Sequence, residues 1–120
     1  MAHKDDLGRA GEQRARHYLL ECGYRILDHN WRCSLGEIDI VAQRGTALAF
    51  IEVKTRSSLD FGHPFEAITE PKKQRLWRLA HEWVKQHPDA ARGRSLRVHA
   101  IGITGRDPWA GTLEHLEDVR

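Results

Sequence analysis

The chain has 120 residues, so we expect residues 1–120 to form a single domain, because domains usually run to about 100–200 residues. Hydrophobic residues make up 40% and charged residues 30% of it, a balance that excludes intrinsic disorder and fibrous architectures. The formal net charge of +2 is too small to indicate a partner by itself. No apolar run approaches the ~20 residues that cross a bilayer, so we expect no membrane association.

The cysteine content indicates a reducing compartment. The two cysteines, Cys22 and Cys33, have no metal-ligand spacing and suggest neither a disulfide framework nor a zinc site. The N-terminal residues lack the apolar segment of a secretory signal. We therefore expect a reduced, cytoplasmic protein.

The first element predicted is a helix over about residues 5–22. Asp5 or Asp6 is placed to cap its start, and Gly23 is placed to end it. Its apolar face, with the spacing i, i+3, i+4 and i+7, consists of Ala15, Tyr18, Leu19 and Cys22.

Three strands are predicted next. The first lies near residues 24–28, and residues 34–36 then turn the chain. Residues 37–42 and 47–55 are β-branched and alternate in polarity, which is typical of strands. The Arg44-Gly45 turn between them indicates an antiparallel hairpin.

The second half of the chain starts with a predicted loop over residues 57–68. A helix follows, with Thr69 as its cap and Pro71 in its first turn, where proline is tolerated. His87-Pro88 ends this helix. Its apolar stripe consists of Leu76, Leu79, Ala80, Trp83 and Val84.

Two strands complete the prediction, one over residues 96–103 and a shorter one over residues 112–116. The order of elements is helix, three strands, helix, and one or two strands. This order predicts a mixed α/β fold in which helices pack on a small sheet.

Charged residues enter an apolar face of the third predicted strand. Alternate side chains of a strand share a face, so Glu52 and Lys54 continue the face that begins with Leu48 and Phe50. A charge on such a face is costly unless it is paired or bound to a metal. Taken alone, the pair is better explained by a salt bridge on a solvated strand face; the acids on the neighbouring strand and the first helix change that balance.

The neighbouring strand carries a second acid, Asp39. Its predicted faces are Glu37, Asp39 and Val41 on one side, and Ile38, Ile40 and Ala42 on the other. A two-residue loop at residues 44–45 sets Asp39 opposite Phe50, and a four-residue loop at residues 44–47 sets it opposite Glu52. Both registers leave Asp39 and Glu52 on one face, whereas an odd-length loop separates them.

The first helix contributes a third acid. Glu12 lies three residues before Ala15 and seven before Leu19, on the inward stripe of that helix. Gly8 and Gly11 beside it allow the helix to approach another backbone closely. Three carboxylates and one ammonium are thus directed at one end of the sheet, where like charges repel and require a cation.

This set of groups suits metal-assisted hydrolysis of phosphodiesters. Two or three carboxylate oxygens and a backbone carbonyl hold Mg²⁺ or Mn²⁺, which are hard ions. Such an ion lowers the pKa of a bound water and neutralises charge that develops on the phosphate. Lys54, on the face of Glu52, is placed to orient the attacking water or to stabilise that charge.

The arrangement Asp39 … Glu52-Val53-Lys54 resembles the PD-(D/E)xK core of restriction-endonuclease-like nucleases, and Glu12 makes it similar to the archaeal Holliday-junction resolvase branch. Nearly the whole chain resembles the YraN-like family of uncharacterised bacterial proteins. The matching stretches are Gly8-Arg9-Ala10-Gly11-Glu12, Asn30-Trp31-Arg32-Cys33, Gly36-Glu37-Ile38-Asp39-Ile40, Phe50-Ile51-Glu52-Val53-Lys54-Thr55-Arg56 and Lys72-Lys73-Gln74.

The resemblance implies a restriction-endonuclease-like fold and a role for each matching residue. Asp39 and Glu52 are implied as metal ligands, and Lys54 is implied as the catalytic lysine. Glu12 is implied as an accessory acid that acts on the metal directly or through water. Gln74 is implied as a polar catalytic residue that faces the site from the second helix.

The sequence departs from the superfamily and family patterns in two places. Ile38 precedes Asp39 where the motif name has proline. In the later strand, Arg97-Val98-His99 stands where the family is expected to show Arg, an aromatic residue and Asp. His99 either contacts a phosphate or the metal site, or is a structural histidine.

Nucleic-acid contacts are expected around the acidic centre. Fourteen of the nineteen basic residues are arginine, which binds phosphate through two donors at once. No base-reading motif is present, so recognition by DNA shape is expected. Trp31 either stacks on a base or packs in the core. The candidate contact residues are Arg9, Arg32, Thr55, Arg56, Lys72 and Lys73.

These features together predict a Mg²⁺-dependent endonuclease that acts on structured or branched DNA. An alternative is a non-catalytic nucleic-acid-binding protein that retains the nuclease fold, and a third possibility is a partner-binding protein. Junction resolution needs two active sites, so a homodimer is possible under the first interpretation.

Overall fold

Five strands form one mixed sheet, and their order in space is their order in the chain. They are β1 (Arg25–Cys33), β2 (Gly36–Arg44), β3 (Ala47–Arg56), β4 (Ser95–Thr104) and β5 (Thr112–Leu116). Strand β4 runs parallel to β3, and all other neighbours are antiparallel. The computed structural model describes the backbone of residues 3–117 and the side chains of residues 6–117.

Two long helices cover the sheet, namely α1 (His3–Glu21) and α2 (Glu70–Gln86), and a short α3 (Pro88–Ala91) follows α2. Helix α2 forms the crossover that parallel strands β3 and β4 require. The predicted order of helices and strands is confirmed; only α3 and two 3₁₀ turns inside the predicted loop were not expected. No helix in the described part of the chain is long and apolar enough to cross a membrane.

Each face of the sheet has its own hydrophobic core. The core under α2 includes Val41, Leu48, Phe50, Leu79, Trp83 and Val98. The core under α1 includes Ala15, Leu19, Ile40, Ala49, Ile51 and Ile101. Strand β3 contributes alternate side chains to both, as its two apolar faces predict. Burial on both sides fixes the register of this strand, because a slip of one residue exchanges its two faces.

The ends of α1 differ from prediction at one terminus only. The helix already includes His3, so Asp5 and Asp6 lie inside it and the predicted cap is wrong; the side chain of Asp5 lies outside the described side chains. At the other end, Gly23 adopts a φ of 90° and its N–H donates to Leu20. This left-handed conformation ends the helix as expected.

Two other element boundaries also needed correction. Strand β1 covers residues 25–33 rather than residues 24–28, because it pairs along most of β2. Thr69 occupies the position before α2, but its side chain makes no capping hydrogen bond. The start of α2 therefore depends on Pro71 and on packing rather than on a hydroxyl cap.

Strand β2 does not alternate regularly at its start. Ile38 packs with Val41 in the core under α2, whereas Ile40 packs in the core under α1. The prediction that Ile38 and Ile40 share a face is therefore wrong. The irregularity falls at Asp39, between the two isoleucines, within the continuous strand β2.

The hairpin register is that of the predicted four-residue loop. Residues 40–44 pair with residues 47–51, and only residues 45–46 remain unpaired in the turn. Continuing this register sets Asp39 opposite Glu52, and the alternative register is wrong. The described pairing stops one step before these two acids, so β2 and β3 diverge there.

Candidate active site

The divergence of β2 from β3 creates the candidate active site. The N–H of Val53, which has lost its partner in β2, donates to Asp39 Oδ2 over 2.8 Å. This hydrogen bond fixes the Asp39 carboxyl against β3, beside Glu52. The sequence folds this way because Asp39 replaces a backbone acceptor with a side-chain acceptor at the end of the ladder.

A cleft of about 260 Å³ opens between these acids and helix α2. We call it the carboxylate cleft, and its lining residues are Glu37, Asp39, Glu52, Ile68, Lys72, Arg75, Leu76 and Leu79. The acids come from β2 and β3, and both basic residues come from α2. The cleft thus has an acidic floor and a basic wall, which suits an anion held over a cation.

Burial dominates the electrostatics of the acid pair. Burial and, to a smaller extent, the charge of Glu52 raise the pKa of Asp39 to about 8, although the Val53 hydrogen bond lowers it. Burial also raises the pKa of Glu52, against the lowering effects of Lys54, Lys72 and a hydrogen bond with Asp39. These shifts favour a proton on the pair near neutral pH when no metal is bound, and a divalent cation can replace that proton.

Glu12 belongs to a second, adjoining cleft of about 290 Å³. We call it the α1 cleft, and its lining residues are Leu7, Gly8, Glu12, Val53, Lys54, Thr55 and Arg56. Burial is the largest cause that raises the pKa of Glu12; Glu37 and Glu52 raise it as well, and Arg16 lowers it. The predicted acids and Lys54 therefore lie in one neighbourhood, but on two clefts rather than one.

The residues present fit a hard divalent cation at the Asp39–Glu52 pair. Mg²⁺ and Mn²⁺ bind carboxylate oxygens and keep several waters, so two carboxylates suffice. Among the described residues, no three His, Cys, Asp or Glu side chains are grouped as ligands of one metal ion. Of the two implied roles of Glu12, the arrangement thus disfavours direct ligation and favours action through water.

Gln74 does not face the site. It is exposed and is absent from the lining of the carboxylate cleft. On α2 the residues that line the cleft follow helical spacing, i, i+3, i+4 and i+7 from Lys72, and Gln74 falls on the opposite side of the helix. The expectation that Gln74 is a catalytic residue is therefore wrong for geometric reasons.

The two predicted lysines of α2 have different surroundings. Lys72 lines the carboxylate cleft, and its charge favours ionised Glu52. Lys73 instead forms a salt bridge of 3.1 Å with Glu70 on its own helix. Only Lys72 of this pair is placed to meet a ligand of the cleft.

The other predicted contact residues surround the two clefts. Arg9 forms a salt bridge of 2.5 Å with Asp6, and both exposed side chains belong to α1. Arg32 is exposed and pairs over 2.5 Å with Glu37 of the carboxylate cleft.

Thr55 and Arg56 both line the α1 cleft. A Cβ on Gly11 would lie 2.0 Å from Thr55 Oγ1, whereas one on Gly8 would meet nothing within 4 Å. The predicted close approach of α1 therefore holds at Gly11 and fails at Gly8. Thr55 is packed under the helix, so its side chain has a structural role.

Comparison with known proteins places the chain in a family. A family model described as "Uncharacterised protein family UPF0102" matches residues 11–103. The chain belongs to UPF0102. This is the YraN-like family that the motifs indicate, so the predicted membership is confirmed. The match includes every acid of the candidate site.

Several bacterial UPF0102 proteins are similar to this chain over nearly their full length. The UPF0102 protein of Paenarthrobacter aurescens (strain TC1) is 48% identical over 119 residues, 99% of this chain and 97% of the relative. That of Beutenbergia cavernae is 44% identical over 119 residues, covering 99% of each chain. That of Arthrobacter sp. (strain FB24) is 48% identical over 119 residues, with the same coverage.

Two residues that line the site in this UPF0102 protein are noted in the sequence as charged residues of β2 and α2 but are not among the predicted site residues. Glu37 and Arg75 both line the carboxylate cleft. The side chain of Arg75 lies against Gly36, where a Cβ would come within 3.5 Å of Arg75 Cδ. The helical spacing between Lys72 and Arg75 is the signal that identifies Arg75. Glu37 is signalled by its predicted position on the face of Asp39.

His99 and Trp31 have structural roles in this UPF0102 protein. His99 is 5% exposed and its Nδ1 lies 2.9 Å from Nε2 of His115 on β5. It lines neither the carboxylate cleft nor the α1 cleft, which favours a structural role over contact with a phosphate or the metal site. Trp31 packs against the core under α2, which favours packing over base stacking.

Proposed function

We propose that this UPF0102 protein is a Mg²⁺- or Mn²⁺-dependent endonuclease that hydrolyses phosphodiester bonds in structured or branched DNA. The observation that carries the proposal is the half-buried Asp39–Glu52 pair at the point where the described pairing of β2 with β3 stops. Two adjacent carboxyls whose pKa values are raised by burial are costly to maintain and are typical of functional sites. Lys54, two residues after Glu52, completes the set that the PD-(D/E)xK motif describes.

Each residue has a definite task in this proposal. Asp39 and Glu52 hold the cation, and Val53 N–H keeps the Asp39 carboxyl in place. When bound, the cation polarises the phosphate and lowers the pKa of a bound water. The ammonium of Lys54 stabilises negative charge that develops on the phosphate. The carboxylate of Glu12 accepts a hydrogen bond from water at the edge of the site.

The surroundings of the clefts support a nucleic-acid substrate. Lys72 and Arg75 form the basic wall of the carboxylate cleft, where a phosphodiester can lie between that wall and the acids. Contacts of this kind position a nucleic acid without reading its sequence. We therefore propose recognition by the shape of the DNA, and a homodimer where two strands of a junction are cut. The two free cysteines are compatible with a cytoplasmic location.

The test is cleavage of branched, flapped and linear DNA with Mg²⁺ or Mn²⁺, and with EDTA as the metal-free control. We expect Glu52→Gln and Lys54→Ala each to reduce the rate by at least about 100-fold, since each removes a group that contacts the reacting phosphate or its cation. Glu82→Gln, on the outer part of α2, is the matched control. No cutting of any substrate, or cutting unaffected by both variants, would contradict the proposal.

The same experiment identifies the non-catalytic alternative. A binding protein that only retains the fold would bind DNA with strong salt dependence. That binding would need no divalent ion and would survive Asp39→Asn, without cleavage under any condition.

A further inference from the structure

Two buried polar atoms without hydrogen-bond partners lie on the same cleft. Glu12 Oε1 and Arg56 Nε are the only such side-chain atoms among the described residues, and both residues line the α1 cleft. Buried polar groups in folded proteins are nearly always bonded, so each exception requires an explanation. The two groups have opposite charge, yet these atoms do not bond to each other. An anion in the cleft would satisfy the Arg56 donor, whereas Glu12 Oε1 is an acceptor and needs a donor such as water.

The backbone of β3 adds a donor to this cleft. The described pairing with β2 stops at Ile51, and the next N–H on that edge, from Val53, donates to Asp39. Successive N–H groups on one edge of a strand come every second residue. The N–H of Thr55 therefore points to the same edge, beyond the last described pair with β2, and Thr55 lines the α1 cleft.

The charge of the cleft favours an anion. Lys54 and Arg56 contribute two positive charges, and Glu12 contributes one negative charge when ionised. Arginine binds phosphate oxygens through a planar set of donors, and lysine adds a point charge. A net positive cleft that holds one unpaired guanidinium donor is the chemistry of an oxyanion site.

We propose that the α1 cleft is a phosphate subsite, in which Arg56 and the N–H of Thr55 bind one phosphodiester and Lys54 adds positive charge to the cleft. This phosphate is a neighbour, on the same strand, of the one at the carboxylate cleft. Glu12 on the opposite wall admits the singly charged diester and disfavours the doubly charged monoester. Binding of a phosphate group in the α1 cleft does not depend on the proposed function. Only the assignment of that phosphate to a nucleic acid rests on it.

The test measures binding without metal or cleavage. The protein carries Asp39→Asn, EDTA is present, and the probes are inorganic phosphate and a short oligothymidylate without a terminal phosphate. We expect Arg56→Gln to weaken oligonucleotide binding about 5–10-fold and to reduce the slope of log K against log salt by about 0.7, the value for one phosphate contact on a single strand. The matched control is Arg92→Gln, because Arg92 is exposed and pairs with Asp89 on α3.

Two further variants protect the test against a folding defect. Arg56→Lys keeps the charge and loses the Nε donor, so it should retain the salt slope and lose affinity. Glu12→Gln removes the negative wall and should strengthen binding of inorganic phosphate more than binding of the oligonucleotide. Equal losses in Arg56→Gln and Arg92→Gln, or no gain in Glu12→Gln, would overturn the subsite.

The outcomes for the subsite and for the endonuclease are separable. Binding that depends on Arg56, in a protein that cuts no DNA, overturns the endonuclease and retains the subsite. Cleavage of DNA together with binding that is independent of Arg56 overturns the subsite alone. Tighter binding of inorganic phosphate than of the oligonucleotide assigns the cleft to free phosphate and overturns the nucleic-acid part.

Discussion

Val53 donates its backbone N–H to the Asp39 carboxyl over 2.8 Å, one step beyond the last described pair between β2 and β3. This hydrogen bond stabilises ionised Asp39, whereas burial and the charge of Glu52 oppose ionisation. The opposing effects are unequal, since the pKa of Asp39 still rises to about 8. The fold therefore holds an acid whose charged form is disfavoured at neutral pH, and a bound cation would favour that form.

Asp39→Asn should stabilise the metal-free protein at neutral pH. The amide oxygen can still accept from Val53, and the variant loses the cost of burying a charge next to Glu52. The pKa of Asp39 in the folded protein, about 8, lies above its ordinary value of 3.8. The contribution of protonated Asp39 to the free energy of unfolding is therefore complete below pH 3.8. It is lost as the pH rises to about 8. At pH 7 the gain in the free energy of unfolding should be on the order of 2 kcal/mol.

Thermal unfolding in EDTA from pH 4 to pH 8 measures this effect. The melting temperature of Asp39→Asn should exceed that of the wild type by a margin that grows with pH. Asp89→Asn, at an exposed side chain of α3, should show no such trend. A lower melting temperature for Asp39→Asn at pH 7 would show that the carboxyl contributes to folding rather than to a ligand site.

Mg²⁺ or Mn²⁺ should stabilise the wild type, because a ligand that binds only the folded state adds about 2.7 kcal/mol at one hundred times its dissociation constant. The proton favoured on the Asp39–Glu52 pair near neutral pH should be released when the cation binds. Calorimetry in two buffers of different ionisation enthalpy would detect that proton. Glu52→Gln should abolish the thermal shift, Glu82→Gln should keep it, and equal shifts in both would contradict a cation site at this pair.

Local chemistry and alternation predicted the fold and the acids of the site. Glu52 and Lys54 were recognisable because β3 is apolar on both faces, so a charge on it is conspicuous. The irregularity at Asp39 was not predictable, since regular alternation gives no sign that Ile38 and Ile40 face opposite sides. The division of the acids between two clefts depends on that irregularity and on where α1 packs.

Basic residues of α2 show a second limit of sequence reasoning. Adjacent lysines look equivalent in a sequence, but a helix turns about 100° per residue, and only the packing of α2 decides which of them meets the cleft. The same rotation removes Gln74 from the site and brings in Arg75. The orientation of α2 is set by Leu76 and Leu79, which are buried against the sheet.

Lys72 and Lys73 should therefore differ in their contribution to DNA binding. Lys72→Ala removes a charge from the basic wall of the carboxylate cleft and should weaken binding about 3–10-fold, with a salt slope reduced by about 0.9 for duplex DNA. Lys73→Ala removes a residue paired with Glu70 and should change binding less than twofold. Equal effects of the two substitutions on affinity and slope would contradict a phosphate site in this cleft.

Gly8 and Gly11 should respond in opposite ways to substitution by alanine. Alanine is favoured over glycine inside a helix by roughly 0.5–1 kcal/mol, and a Cβ on Gly8 meets nothing within 4 Å, so Gly8→Ala should stabilise the protein by about that amount. A Cβ on Gly11 would lie 3.0 Å from Thr55 Cβ and 2.0 Å from its Oγ1. Gly11→Ala should therefore destabilise it by roughly 1–3 kcal/mol.

Urea unfolding measures both effects, and the double variant Gly11→Ala with Thr55→Ala tests their cause. Removal of the Thr55 hydroxyl and methyl groups should recover part of the loss, because the two positions are in contact. Additive losses would show that Gly11 is required for another reason.

A hydrogen-bonded pair of histidines joins α1 to the last two strands. His115 Nδ1 lies 2.9 Å from Tyr18 Oη, and His115 Nε2 lies 2.9 Å from His99 Nδ1. Burial raises the pKa of Tyr18 to about 12, so its hydroxyl stays protonated near neutral pH. Neutral His115 satisfies both neighbours by accepting at one ring nitrogen and donating from the other.

This pair should make the protein less stable in mild acid. Burial lowers the pKa of His115 below 6.5; the charge of Glu117 opposes this shift, and that of Arg44 adds to it. The contribution of neutral His115 to the free energy of unfolding is therefore complete above pH 6.5. It is lost as the pH falls through the lower pKa of the folded state. Urea unfolding at pH 7.5 and pH 5.5 measures the loss in the free energy of unfolding between the two pH values. This loss should be smaller for His115→Gln than for the wild type. His81→Gln, at an exposed site on α2, is the control and should show the wild-type loss. At pH 7.5, His115→Ala should cost about 1–3 kcal/mol, because Tyr18 and His99 both lose a buried partner. A drop in His115→Gln as large as that of the wild type would assign the acid sensitivity to other groups.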